Sequence, residues 1–93
     1  MSQNAYRNAV RDLIELLKKR GTSQQMIVWQ IRADEAVDPT LISLRAYGTR
    51  EHADVVMVAA GVSGIRERLP ETEIVLPLLI QIRQLRRDIL GAV

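Results

Sequence analysis

The residues able to do chemistry are few, and they are poorly grouped. His52 is the only histidine of the chain, and Glu51 and Asp54 stand close to it. These types could ligate a metal. Residues one and two apart diverge around a helix, however, and no second imidazole exists to complete a site. A solvated helix start is the expected setting, with Glu51 near the positive end of the helix dipole. Gly61-Val-Ser63-Gly64 approaches a nucleophile elbow. Its second glycine comes one residue early and the only histidine precedes the serine, so a turn is expected. Asp34 and Glu35 read as a loop pair, whereas general acid–base chemistry needs two carboxylates facing one cleft. No phosphate-cradling glycine loop is present. The chain is therefore expected to have no catalytic residues, no metal site and no cofactor, and not to be an enzyme. Trp29 reads as a core residue or interface anchor in preference to a sugar-stacking platform.

The elements that must position these residues follow from periodicity. Tyr6, Ala9, Val10, Leu13 and Leu17 recur at three and four residues, which predicts a helix over about Ala5 to Arg20. Ser2 or Asn4 can cap it, Arg11–Glu15 and Glu15–Lys19 can pair one turn apart, and Gly21 suits a left-handed stop. Ile27, Trp29, Ile31 and Ala33 alternate with Val28, Gln30, Arg32 and Asp34, the period of a strand. Asp34 to Val37 reads as a loop. Asp38-Pro39 starts a helix, because an Asp cap accepts backbone N–H bonds and a proline at the first helical position loses no needed donor. Leu41, Leu44 and Tyr47 line up along it, and Gly48 ends it. Thr49 caps a second helix, Arg50 to Ala60, with Ala53, Val56, Met57 and Ala60 as its stripe. Val62 to Thr72 is a loop, and Glu73 to Leu76 a short strand stopped by Pro77, which also suits the start of a last helix. There Leu78, Ile82, Leu85 and Ile89 form the apolar stripe, with Arg83, Arg86 and Arg87 toward solvent.

Composition bounds the rest. The chain has 93 residues, enough for one domain. Apolar residues make up 47%, but with no Phe, one Trp and two Tyr the core must be aliphatic. Without cysteine there are no disulfides, thiolate zinc sites or cysteine nucleophiles. The longest apolar run, Val55 to Val62, falls short of the roughly 20 residues of a membrane helix. Arg7, Arg11 and Asp12 interrupt the first stretch, so no secretory signal is expected there. A net charge of +2 gives nucleic-acid binding little long-range help. The order helix, strand–helix–helix–strand, helix predicts an α+β fold in which two antiparallel strands are covered by a helical hairpin.

The middle unit, about Met26 to Pro77, resembles the LysM domain. The residues that carry the resemblance are the strand Ile27-Val-Trp-Gln-Ile31, the helix start Asp38-Pro39-Thr40-Leu41 and the helix close Ala46-Tyr47-Gly48-Thr49. The second helix Ala53 to Ala60 and the ending Leu69-Pro-Glu-Thr-Glu-Ile-Val-Leu-Pro77 complete it. Two positions depart from the pattern. Ala60-Gly61-Val62 stands where the family usually carries Asn, and Glu71 where the turn before the last strand usually carries Gly. The resemblance implies a β-α-α-β core with an additional N-terminal and C-terminal helix: 1–25 helix, 26–77 LysM-like domain, 78–93 helix.

In glycan-binding members the helix-start loop and the post-helix loop form a groove for N-acetylglucosamine polymers, which would map here onto Asp38, Thr40, Gly61 and Val62. Small proteins of this build also resemble LysM-like phage tail and baseplate components, including the tail protein X family. That implies a structural adaptor, located in the virion after production in the host cytoplasm. It would be part of a multi-subunit assembly, docked onto tail-tube, hub or wedge proteins. Trp29, Tyr47, Leu69 and Ile74 are the candidate anchors. Peptidoglycan binding is the alternative. A helix-turn-helix DNA-binding protein is a further one, but Glu51 and Asp54 would repel phosphate at the start of its recognition helix, and Val55 to Ala60 offers no base-reading side chains.

Overall fold

The computed structural model describes residues 3–21, 23–64 and 67–91. It is a small α+β fold with a two-stranded antiparallel sheet. The expected cap at Ser2 lies outside the described residues, and Asn4 sits inside helix α1 (Gln3–Arg20) and not ahead of it. The buried ridge of α1 is Tyr6, Val10, Ile14 and Leu17. Ile14 takes the place expected for Leu13, which is only half-buried. The run Leu13-Ile-Glu-Leu-Leu17 offers an apolar residue on either side of the ridge, so spacing alone does not fix its centre. Glu15 pairs with Lys18 at 3.7 Å, three residues on, and not with Arg11 or Lys19.

Strand β1 (Met26–Gln30) pairs with β2 (Glu73–Pro77) in one register, Met26 opposite Pro77 and Gln30 opposite Glu73. With a two-residue side-chain period, Ile27, Trp29, Ile74 and Leu76 share the inner face, and Val28 and Val75 the outer. Helices α1 and α4 pack on β2. This covering supplies the burial that a two-stranded ribbon lacks alone. Pro77 is the last residue of the strand, so the final helix starts later than expected. Leu78 is its cap, and the Leu78 N–H donates to Gln81 Oε1 at 2.9 Å.

The strand expected to reach Asp34 stops at Gln30, and the expected loop is a short helical turn, α2 (Ala33–Ala36). Its cause is local: Glu35 at the third helical position reaches back to accept the Arg32 N–H at 3.0 Å. Helix α3 (Pro39–Tyr47) begins as expected, with Asp38 Oδ1 accepting the Thr40 N–H at 3.0 Å. Its buried face is Ile42, Ser43 and Tyr47, while Leu44 is exposed. Gly48 closes it at φ 78°, a left-handed conformation that costs a side chain about 1–2 kcal/mol. Thr49 caps the next turn through the Glu51 N–H at 3.3 Å. A 3₁₀ turn (Arg50–His52) precedes α4 (Ala53–Ala60), which has no exposed residue. The last helix, α5 (Leu79–Leu85), widens into a π turn over Arg86–Leu90 and stops at Gly91. One core joins all of this, running from Tyr6 of α1 through Ile42, Val55 and Leu76 to Ile82 of α5.

Candidate functional site

Among the described residues, a polar cluster is centred on Glu35, whose side chain is 2% exposed. Its Oε2 accepts from Arg45 at 2.7 Å. Its Oε1 accepts the Arg32 N–H at 3.0 Å and the Trp29 indole N–H at 3.2 Å. Arg45 also reaches Asp34 at 3.2 Å. Burial is the largest single influence on the Glu35 carboxyl and would raise it. The hydrogen bonds from Arg45, Arg32 and Trp29 together outweigh burial and hold it below the ordinary carboxylate range. Its bond to Glu35, with Asp34 in support, keeps Arg45 charged. A carboxylate with its lone pairs so occupied is an anchor, not an acid or base. It ties β1, α2 and α3 to one another.

This cluster was missed in the sequence, where Asp34 and Glu35 read as a loop pair. The Arg32-to-Glu35 spacing of a reach-back cap was the available signal. Arg45, ten residues further on, carried none.

Of the candidate anchors, Trp29 is half-buried and faces the core, held by Glu35. Tyr47, Leu69 and Ile74 are 9%, 1% and 5% exposed. They are core residues of the isolated chain and have no surface to offer. The Tyr47 hydroxyl donates to Pro77 O at 2.7 Å, and the Leu69 N–H donates to Ala36 O at 2.8 Å. Among the described residues, the large apolar side chains that reach solvent are Val28, Val37, Ile80, Leu16 and Leu44.

Asp38 and Thr40 form a local network. The Thr40 hydroxyl donates to Asp38 Oδ1, and Arg50 donates to Thr40 Oγ1 at 2.7 Å. The Thr40 hydroxyl bond, then the Thr40 N–H and Arg50, set the Asp38 carboxyl below its usual value. Gly61 and Val62 line a hollow of about 180 Å³ together with Arg7, Arg11, Val58 and Ser63. Asp38 and Thr40 do not line it, so that hollow does not bring the four groove candidates together.

His52 is 4% exposed, not solvated. Its backbone N–H donates to Ser43 Oγ at 3.1 Å, and the Ser43 hydroxyl donates in turn to Thr49 O. Its ring stands edge-on to Tyr47, centroids 5.5 Å apart. Among the described residues Nδ1 has no hydrogen-bond partner, and the buried Tyr6 hydroxyl has none either. Burial first, then Arg86, lowers the His52 imidazole below its ordinary value, against the opposing pull of Asp54 and Glu51. Among the described residues no three His, Asp or Glu side chains are grouped to hold a metal. No described helix is long and apolar enough to cross a membrane. Comparison with known protein families, with curated proteins and with solved structures finds no match to the chain.

Proposed function

We propose that the chain is a LysM-like structural adaptor of a phage-type tail or baseplate. It would dock onto tail-tube, hub or wedge proteins and work through its surfaces, without catalysis. The observation that carries this reading is the closure of β1 against β2 around the α3–α4 hairpin. It supports the reading because Asp38 caps α3 and Gly48 closes it, at the positions the resemblance assigns to the helix start and close.

The burial of Tyr47, Leu69 and Ile74 shifts the docking role to other residues. Val28, on the outer face of the sheet, and Val37, after α2, are 49% and 66% exposed and sit on the rigid frame that Glu35 pins. Side chains so placed bury apolar area against a neighbour at small ordering cost. The peptidoglycan reading is weaker, because the hollow beside Gly61 and Val62 is shared with Arg7 and Arg11 and not with Asp38 and Thr40. The DNA-binding reading is weaker still, since in the would-be recognition helix, Arg50 to Ala60, only Arg50 and Glu51 are exposed and no residue from His52 to Ala60 is.

The test is sedimentation of the chain with purified tail-tube, hub and wedge proteins of the same genome, alongside a titration with N-acetylglucosamine oligomers. A complex with one of the tail proteins, weakened by V28D or V37D, is expected. Binding of the oligomers alone, with shifts centred on Asp38–Thr40 and Gly61–Ser63, would replace this reading with the glycan one.

A further inference from the structure

The ladder of the sheet fixes which backbone groups of β1 face outward. The Ile31 N–H donates to Thr72 O at 3.0 Å, which continues the β1–β2 register past Gln30 and Glu73. In an antiparallel ladder, pairs that exchange hydrogen bonds alternate with pairs that do not. Trp29–Ile74 and Ile27–Leu76 therefore exchange bonds, and the N–H and C=O of Val28 and Gln30 point away from β2. Among the described residues, no turn, loop or side chain takes up those outward groups.

The two edges of the sheet differ. Along β2, Glu73 is charged and exposed, Pro77 has no N–H, and the outward Pro77 O accepts from the Tyr47 hydroxyl at 2.7 Å. Charge, proline and a covering side chain are the devices that blunt an edge strand. β1, Met26-Ile-Val-Trp-Gln30, has neither charge nor proline. Helices α1 and α4 pack on β2, whereas β1 leans on β2 and on its own preceding turn. On the shared inner face Ile74 and Leu76 are buried, while Ile27 and Trp29 are only half-buried.

We propose that the open edge of β1 pairs with the same edge of a second copy of this chain, antiparallel and centred on Val28, so that two ribbons join into one continuous sheet. The strand's own pattern selects this occupant. Val28 is the middle residue of β1, and its N–H and C=O both face outward. A twofold axis there sets Val28 opposite Val28 as a bond-exchanging pair. The same register sets Ile27 opposite Trp29 on the inner face, a β-branched residue against an aromatic one, and Met26 opposite Gln30. No like charges meet across the axis, because the strand carries none. The added strand also covers the open flanks of Ile27 and Trp29. This pairing goes beyond docking onto other proteins and needs none of them.

The experiment uses the full chain alone, so its outcome is separate from that of the tail-protein binding. Sedimentation equilibrium over a range of concentrations is expected to show a monomer–dimer equilibrium. Amide hydrogen exchange read by NMR is expected to show the Val28 N–H protected at high concentration and exposed on dilution, with Ile27 and Trp29 protected throughout. V28P removes an outward donor that the β1–β2 ladder does not use, and is expected to weaken the dimer at least about tenfold. V28K, which brings two like charges together at the axis, is expected to do the same and decides the matter if V28P does not fold. V75K, on the same outer face but on β2, is expected to leave the dimer intact. A chain that stays monomeric up to a concentration on the order of 1 mM would overturn the pairing. So would a dimer that a folded V28P and V28K leave unchanged, or one that V75K weakens as much as V28K does.

Discussion

Arg45 of α3 and Glu35 of α2 meet at 2.7 Å across the seam between two helices, with the carboxylate buried and the guanidinium open to water on one side. Removing the arginine leaves a buried charge with only two donors. R45M is expected to destabilise the chain at pH 7, read as a lower urea midpoint with an unchanged slope.

The same pair fixes a pH dependence. The Glu35 carboxyl titrates lower in the folded chain than the ordinary value of 4.5, so the unfolded chain binds the proton more readily. Its contribution to stability is full above that ordinary value and is lost as pH falls through the folded one. Urea titrations at pH 7, 5 and 3 should show this acid loss in the natural chain and a shallower one in E35Q, which has no charge to protonate. An equal slope in both would remove Glu35 from the account.

Tyr47 and Pro77 test the joint between α3 and β2. Y47F deletes a buried 2.7 Å hydrogen bond and leaves the Pro77 carbonyl without it. A loss of about 1–3 kcal/mol is expected, measured by chemical denaturation. A neutral result would mean that water reaches the carbonyl.

Helix α1 offers a paired comparison. I14A empties a fully buried site and is expected to cost about 2–5 kcal/mol, whereas L13A, at a half-buried one, should cost clearly less. The reverse order would rotate the helix from the arrangement described.

How much of this was legible in the sequence depends on whether the signal is local. Asp38-Pro39, Gly48 and Thr49 fixed their helix ends because a cap or a left-handed turn is decided within three or four residues. Ile27 and Trp29 revealed the inner face of β1 by alternation. The ridge of α1 was not legible, since Leu13 and Ile14 are both apolar and only the packing partner chooses between them. Nor was the end of β1. Its alternation continued on paper to Asp34, and the chain turned because a glutamate three residues past Arg32 found an arginine ten residues further along. His52 read as solvated because charged neighbours flank it, yet the 3₁₀ turn points it inward against Tyr47. Tyr47, Leu69 and Ile74 read as candidate docking anchors, and nothing in their local spacing separates an anchor from a core residue. The flanking helices supply the burial, and the three residues belong to the core.

The most direct test of the central claim, that the chain works by docking through its outer surface, is a sedimentation measurement of binding to the purified tail-tube, hub and wedge proteins. The natural chain is compared with V28D, which alters the outer face of the sheet and leaves the core intact. A complex that V28D weakens at least about tenfold, a difference of 1.4 kcal/mol, is predicted. No complex with any of these proteins, for a natural chain that is folded, would contradict it.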